Sequence, residues 1–198
     1  MTNDIVLHYD KLIEENNDPV NDPKPLQAYM DKWDGQVFID KMQLDTGKTV
    51  LEIGVGTGRI AVKVAPLCKQ FTGIDISSKT IARAKEHLAK NNNAELICGD
   101  FNDYNFESTF DIIYSSLTFM HIENKQNTIN KIYNLLNSNG RFVLSIDKNQ
   151  DKFIDLGIRK IAVYPDNPND TETYLKQSGF MVSEIIETEL AYIFVAEK

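Results

Sequence analysis

Cysteine is nearly absent: the 198-residue chain has two, Cys68 and Cys98. Neither sits in a Cys-x-x-Cys pair and the three histidines stand apart, so no metal-ligand spacing is present and no metal is expected. Two thiols in apolar surroundings read as reduced and buried, as in a cytoplasmic protein. Long apolar runs are missing too. No stretch approaches the about 20 residues that a membrane span needs, so no membrane partner is expected. Asp4, His8 and Asp10 near the start are unlike a secretory signal. Positive charge is scarce: 21 Lys and Arg face 29 Asp and Glu, for a net charge of −8. Lys79, Arg83, Lys85 and Lys90 alternate with other residue types as on a solvated helix face. Proteins that grip phosphodiester chains carry basic patches, so a nucleic-acid partner is not expected. No repeat or low-complexity tract appears, and residues 1–198 suit a single domain with a sizeable core. Oligomeric state leaves no mark that can be read.

What the chain does have is concentrated in Thr49-Val50-Leu51-Glu52-Ile53-Gly54-Val55-Gly56-Thr57-Gly58-Arg59-Ile60. Val50, Leu51 and Ile53 read as a buried strand. Gly54, Gly56 and Gly58 allow a tight turn and close approach to a ligand. A helix opens next, and its free N–H groups and positive dipole end face whatever sits on the loop. A dinucleotide fingerprint places its third glycine one residue later, where this chain has Arg59. Glu52 would also oppose a diphosphate, whereas a cationic group gains a counter-charge there. The loop therefore suits a nucleoside that carries an ammonium group.

The run Leu51-Glu52-Ile53-Gly54-Val55-Gly56-Thr57-Gly58 resembles motif I of the class I, Rossmann-like S-adenosylmethionine (SAM) dependent methyltransferases, small-molecule type. Later segments fall at fitting distances. Ile60 to Ala65 reads as a short helix ended by Pro66. Phe71 to Ile76 is a second apolar run with Asp75 at its tip, 19 residues after Gly56. That separation puts a carboxylate on a ribose in nucleotide folds, with Ile76 following it; the plainer alternative is a turn or cap, for which Ser77 and Ser78 compete. Ile81, Ala84 and Leu88 mark a helix, and 95–101 a third strand. The resemblance implies that Asp100 accepts from the adenine amine, that Phe101 flanks the ring, and that Ser115, in the strand 110–116, touches the methionyl part through backbone groups. The alternatives are a solvated turn acid and a core phenylalanine.

Asn124 to Asn139 shows a helical stripe stopped by Gly140, and 141–147 a fifth strand. Asn169 to Ser178 reads as a helix with Asn169 and Glu172 spaced as a capping box. Strands at 181–186 and 190–195 are joined closely enough to form a hairpin. The resemblance implies an α/β, three-layer, doubly wound sheet of seven strands in order 3-2-1-4-5-7-6, with strand 7 antiparallel and helices on both faces. Residues 46–198 would form this core.

Residues 1–45 would form a helical lid over the cofactor, with a loop at 16–25 between its helices. Leu26, Tyr29, Met30, Trp33 and Val37 share one stripe that Phe38, Ile39 and Met42 continue, which reads as docking on the sheet. Tyr9 matches a tyrosine that approaches the cofactor in the resembled enzymes. His121 follows the fourth strand, where a neutral imidazole could take a proton from an acceptor; holding a loop is the plainer role. Asp147 ends the fifth strand on the same side. His8 and His87 read as surface residues. No Asn-Pro-Pro-Tyr motif or cysteine nucleophile suggests a base-methylating enzyme. The expectation is a methyltransferase that uses SAM, yields S-adenosylhomocysteine, and methylates an oxygen or nitrogen of a small molecule. A non-catalytic SAM-binding domain and an NAD(P)-dependent oxidoreductase are the alternatives.

Overall fold

The central strand, β1 (Thr49–Ile53), explains the architecture. Val50, Leu51, Glu52 and Ile53 are all buried, which requires neighbours on both edges and both faces. β2 (Gln70–Asp75) and β4 (Phe110–Ser116) flank it in parallel. β3 (Ala94–Cys98) pairs with β2, and β5 (Leu136–Asp147) with β4. A hairpin of β8 (Met181–Glu187) and β9 (Ala191–Glu197) closes the sheet, with β9 antiparallel to β5. The order is β3-β2-β1-β4-β5-β9-β8, the expected seven strands once two short extra strands are numbered. The computed structural model describes residues 3–155 and 159–198.

Alternation along the strands divides the core into two layers. Leu51, Ile53, Ile113, Phe142 and Phe194 face α6 (Lys125–Leu135) and α7 (Pro168–Gln177). Val50, Ile112, Tyr114, Val143 and Ile193 pack with Phe38, Met42, Val64 and Ile81 on the other face. That face carries α3 (Gly35–Lys41), α4 (Ala61–Val64) and α5 (Ser78–His87). The cap of α5 is Ser77, whose hydroxyl accepts from Thr80 N at 3.0 Å.

Several local expectations are corrected. α6 stops at Leu135, not Asn139, because Leu136 is already extended and enters β5. Gly140 lies within that strand. A Cβ there would sit 2.7 Å from Asn137 O, so the residue serves a close backbone approach and not a helix stop. α7 is capped by Asn167, whose Oδ1 accepts from Asn169 N and Asp170 N, with Pro168 at the first helical position. Glu172 does not close a capping box; it pairs with Lys176 one turn later.

The segment before β1 is also broken differently. α1 (Asn3–Glu14) and α2 (Lys24–Met30) precede α3, and Asp34 caps α3 through Gly35 N. The long stripe is therefore interrupted. Phe38, Ile39 and Met42 dock as expected, but Leu26, Tyr29 and Val37 are exposed and α2 buries no residue. The short antiparallel pair β6 (Phe153–Asp155) and β7 (Lys160–Ala162) left no signal in the sequence reading. Cys68 is buried, but Cys98 is exposed, because it ends the sheet's edge strand.

Candidate cofactor site

A cavity of about 260 Å³ opens at the C-terminal ends of β1, β2 and β4, where the strand order reverses. The glycine loop forms its floor. Gly54 has φ +77°, and a Cβ there would lie 2.0 Å from Thr118 Oγ1, so only glycine fits. Gly56 lines the cavity with nothing near its would-be Cβ. Gly58 does not line it; it faces Ala61, Ala84 and Leu88 and lets the loop settle on α5.

Glu52 lies in the cavity wall at 3% exposure. β1–β4 pairing sets it beside Tyr114, whose hydroxyl donates to Glu52 Oε2 at 2.7 Å. Burial pushes its carboxyl up to about 8, against the pull of Tyr114 and the Arg59 guanidinium. Asp75 lines the same cavity and accepts from Gly56 N and Ser77 N, both at 3.0 Å. It thereby ties the glycine loop to the start of α5. Burial still raises its carboxyl above the usual range despite those bonds. Ile76, Gly99 and Phe101 line the wall beyond Asp75. Phe101 is also core, 3% exposed and packed against Phe106.

Two expected contacts are displaced. Ser115 is fully buried and its hydroxyl donates to Ile53 O, bridging β4 to β1; its neighbour Ser116 lines the cavity instead. Asp100 faces a separate cavity of about 680 Å³ and accepts from Asn102 N, because the chain turns just after β3. Asp147 lines neither cavity and caps a turn at Asn149 N.

Tyr9 of α1 reaches over the cavity and its Oη lies 2.7 Å from His121 Nε2. His121 is 5% exposed; burial, with His8 and Lys125, pushes its imidazole down to about 4. Burial raises the Tyr9 phenol, so the pair is neutral near pH 7. An imidazole this weakly basic, with Nε2 already engaged, is a poor proton acceptor. The two other histidines are not surface residues. His8 is buried and its Nδ1 accepts from Arg159 Nε, while His87 Nε2 lies 2.9 Å from Asp18 Oδ2.

Arg59, Asp34 and Ser116 escaped the sequence reading. Asp34 is 2% exposed and accepts from both terminal nitrogens of Arg59, from Ser116 Oγ and from Gly35 N. An arginine straight after the glycine loop was the visible signal, but its partner lies 25 residues earlier. Among the described residues no group of three or more His, Cys, Asp or Glu is placed to hold a metal ion, and no helix is long and apolar enough to cross a membrane.

Residues 51–144 match the family model described as "Methyltransferase domain". Over this stretch, a little under half of the chain, the sequence is similar to methyltransferase domains. The chain is 33% identical over 109 residues to malonyl-[acyl-carrier protein] O-methyltransferase 1 of Ilyobacter polytropus; the match takes in 52% of this chain and 40% of that protein. The chain spans well under half the length of such curated relatives. The N-methyltransferase NodS of Bradyrhizobium japonicum, in complex with S-adenosylhomocysteine, superposes with TM-score 0.73 at 16% identity, over 99% of both chains. The [4+2]-cyclase SpnF superposes with TM-score 0.79 at 15% identity, over 98% of this chain and 95% of that one. At such identities the likeness concerns the fold alone, which hosts more than one chemistry.

Proposed function

We propose that this protein binds SAM in the glycine-loop cavity and transfers its methyl group to an oxygen or nitrogen of a small molecule. The observation that carries this reading is the donor set around one cavity: Glu52, Gly54, Gly56, Asp75, Ile76 and Phe101. These residues suit the ligand. A buried carboxyl at Glu52 meets the ammonium group, Asp75 accepts from ribose hydroxyls, and Ile76 with Phe101 gives the base an apolar face. Gly58 acts indirectly, by seating the loop on α5.

When bound, SAM supplies an electrophilic methyl on its sulfonium. The protein's share is alignment and exclusion of water, and transfer gains chiefly from proximity. The helices before β1 serve as the lid, with Tyr9 over the cofactor and Ile5, Leu12 and Met30 around it. His121 positions Tyr9 and is not the base. Both oxygen and nitrogen acceptors stay within the proposal, since relatives of either kind resemble this chain. The cytoplasmic placement and the reading of residues 1–198 as one domain belong to the same proposal.

Calorimetric titration with SAM, S-adenosylhomocysteine and NAD tests it. Binding of the two adenosyl ligands and not NAD is expected. Response to NAD alone would overturn it. A non-catalytic binding domain is the second reading, favoured by the absence of a competent base at His121. Acceptor-dependent formation of S-adenosylhomocysteine separates the two.

A further inference from the structure

We propose that α1 gates ligand exchange by parting from α5 along a seam of opposite charges, so that ionic strength sets the exchange rate and leaves affinity almost untouched. The inference rests on the SAM reading of the cavity and on α1 as its lid, and adds what holds that lid shut. The inner face of α1 lends Ile5, Tyr9, Leu12 and Ile13 to the cavity. Among the described residues, none of α1 belongs to either apolar layer of the core. Polar groups along its flanks fasten it instead. Asp10 and Glu14 stand one turn apart on α1, and Asp18 follows on the loop beyond it. α5 answers with Lys79, Arg83 and His87, four residues apart on one stripe, and with its cap Ser77. Ser77 Oγ donates to Asp10 Oδ1 at 2.6 Å, and Lys79 pairs with Glu14. Asp18 Oδ2 accepts from Arg83 Nη1 at 3.0 Å and lies 2.9 Å from His87 Nε2.

The rungs differ in strength. Asp18 is buried and also accepts from Asn21 Nδ2. Burial raises its carboxyl, but the bonds from His87 and Arg83 outweigh that and keep it ionised. Lys79 and Glu14 keep 44% and 58% of their side-chain surface, and pairs so exposed are weak singly and screened by salt. On the opposite flank Arg159 donates to both oxygens of Glu15, at 2.5 and 2.6 Å, and through Nε to His8 Nδ1 at 3.2 Å. That bidentate clamp is the stronger hold and serves as the fixed edge. None of the charged groups of the seam lines the cavity. A ligand inside touches none of them, so parting the seam costs the same with the cavity full or empty. Weakening it speeds entry and exit by one factor, and their ratio, Kd, holds.

The test measures association and dissociation rate constants of S-adenosylhomocysteine with the full chain by stopped flow. Sodium chloride is raised from about 0.1 to about 1 M, over which the screening length falls from about 10 to about 3 Å. The ligand's ammonium and carboxylate balance, so salt does not act by steering it. Both rate constants should rise about 3-fold or more with salt while Kd stays within about 2-fold. Asp18→Asn should raise both about 10-fold at low salt and respond less to added salt. Because that change strips Arg83 and His87 of their carboxylate and can unsettle the loop, Lys79→Gln at the exposed rung supplies a milder one, about 2-fold on both rates. Exchanging the pair, Glu14→Lys with Lys79→Glu, should restore the parent's rates. Hydrogen exchange reads the opening without ligand: α1 amides should lose protection in Asp18→Asn and in salt, and those of α5 should not. Rates that ignore salt, a loss of affinity carried by dissociation alone, or unaltered α1 protection in Asp18→Asn would overturn the proposal. Salt-sensitive α1 protection in a protein that does not bind S-adenosylhomocysteine would instead overturn the cofactor reading.

Discussion

Replacing Glu52 by Gln separates what this residue does for stability from what it does for binding. In the folded, ligand-free protein, burial holds the Glu52 carboxyl at about 8, against an ordinary value of 4.5. The unfolded chain therefore releases this proton at lower pH than the folded one. Below pH 4.5 both states keep the proton and Glu52 is neutral in its effect on stability. As pH rises from there to about 8, stability is lost progressively, since only the unfolded state ionises freely. At pH 7 the loss is on the order of 3 kcal/mol, and by pH 9 on the order of 5 kcal/mol. Gln has the same shape, its Oε1 can still accept from Tyr114, and it does not titrate. Glu52→Gln should match the parent at pH 4 and exceed it by roughly 3 kcal/mol at pH 7. For a chain of this size that is a Tm gain on the order of 5–10 °C.

Binding should move the other way. An ammonium group entering the cavity re-ionises Glu52, so SAM binding near pH 7 should release close to one proton. Titration in two buffers of unlike ionisation enthalpy measures that proton. Glu52→Gln should abolish the release and weaken SAM by about 10-fold or more. Urea unfolding at pH 4, 7 and 8.5 supplies the stability half. A variant whose advantage does not grow with pH would refute the argument, whatever its affinity for SAM.

Other expectations are narrower. Gly54→Ala should lower stability by about 1–3 kcal/mol, since φ +77° and the Thr118 contact both oppose a Cβ, and should abolish S-adenosylhomocysteine binding by calorimetry. Lys125 donates to the carbonyls of Phe119, Ile122 and Tyr164 and pairs with Asp166, whose side chain is 1% exposed. Lys125→Met strands that carboxylate and should cost about 3–5 kcal/mol in urea unfolding, whereas the double change with Asp166→Asn should recover much of the loss. The His121 imidazole should stay neutral from pH 8 down to about 5 in NMR titrations of the folded protein. Because the unfolded imidazole protonates near 6.5, His121 removes stability as pH falls from there to about 4. A midpoint near 6.5 in the folded state would restore the base role.

Much of the fold was legible because it is written in short-range terms. Val50, Leu51 and Ile53 form an apolar run, which a strand buried on both faces requires. Glycines at 54 and 56 mark the turn, and Asp75 ends the next apolar run at the separation a nucleotide site needs. These patterns marked the strands and the loop, while the sheet order was what the family resemblance implied. Boundaries were less legible. The stripe through 135 and 136 continues past the true end of α6, since pairing of Leu136 with Phe110 outweighs local helical preference. The run from Leu26 to Met42 has one helical period, yet the Asp34 cap splits it and leaves Leu26 and Tyr29 of its first half exposed.

By itself, then, the sequence determined the α/β plan, the glycine loop and the acids at the strand tips, because alternation, helical period and turn chemistry act over a few residues. Only the tertiary structure decided which of those groups meet. It brought Asp34 to Arg59 and Tyr9 to His121 across 25 and 112 residues, and set Tyr114 on Glu52 through strand register. It also turned Asp100 out of the cavity and drew Ser116 in. Charge states followed the same division. That Glu52 and His121 are uncharged near pH 7 depends on burial, and burial is a property of all the elements packed around a side chain.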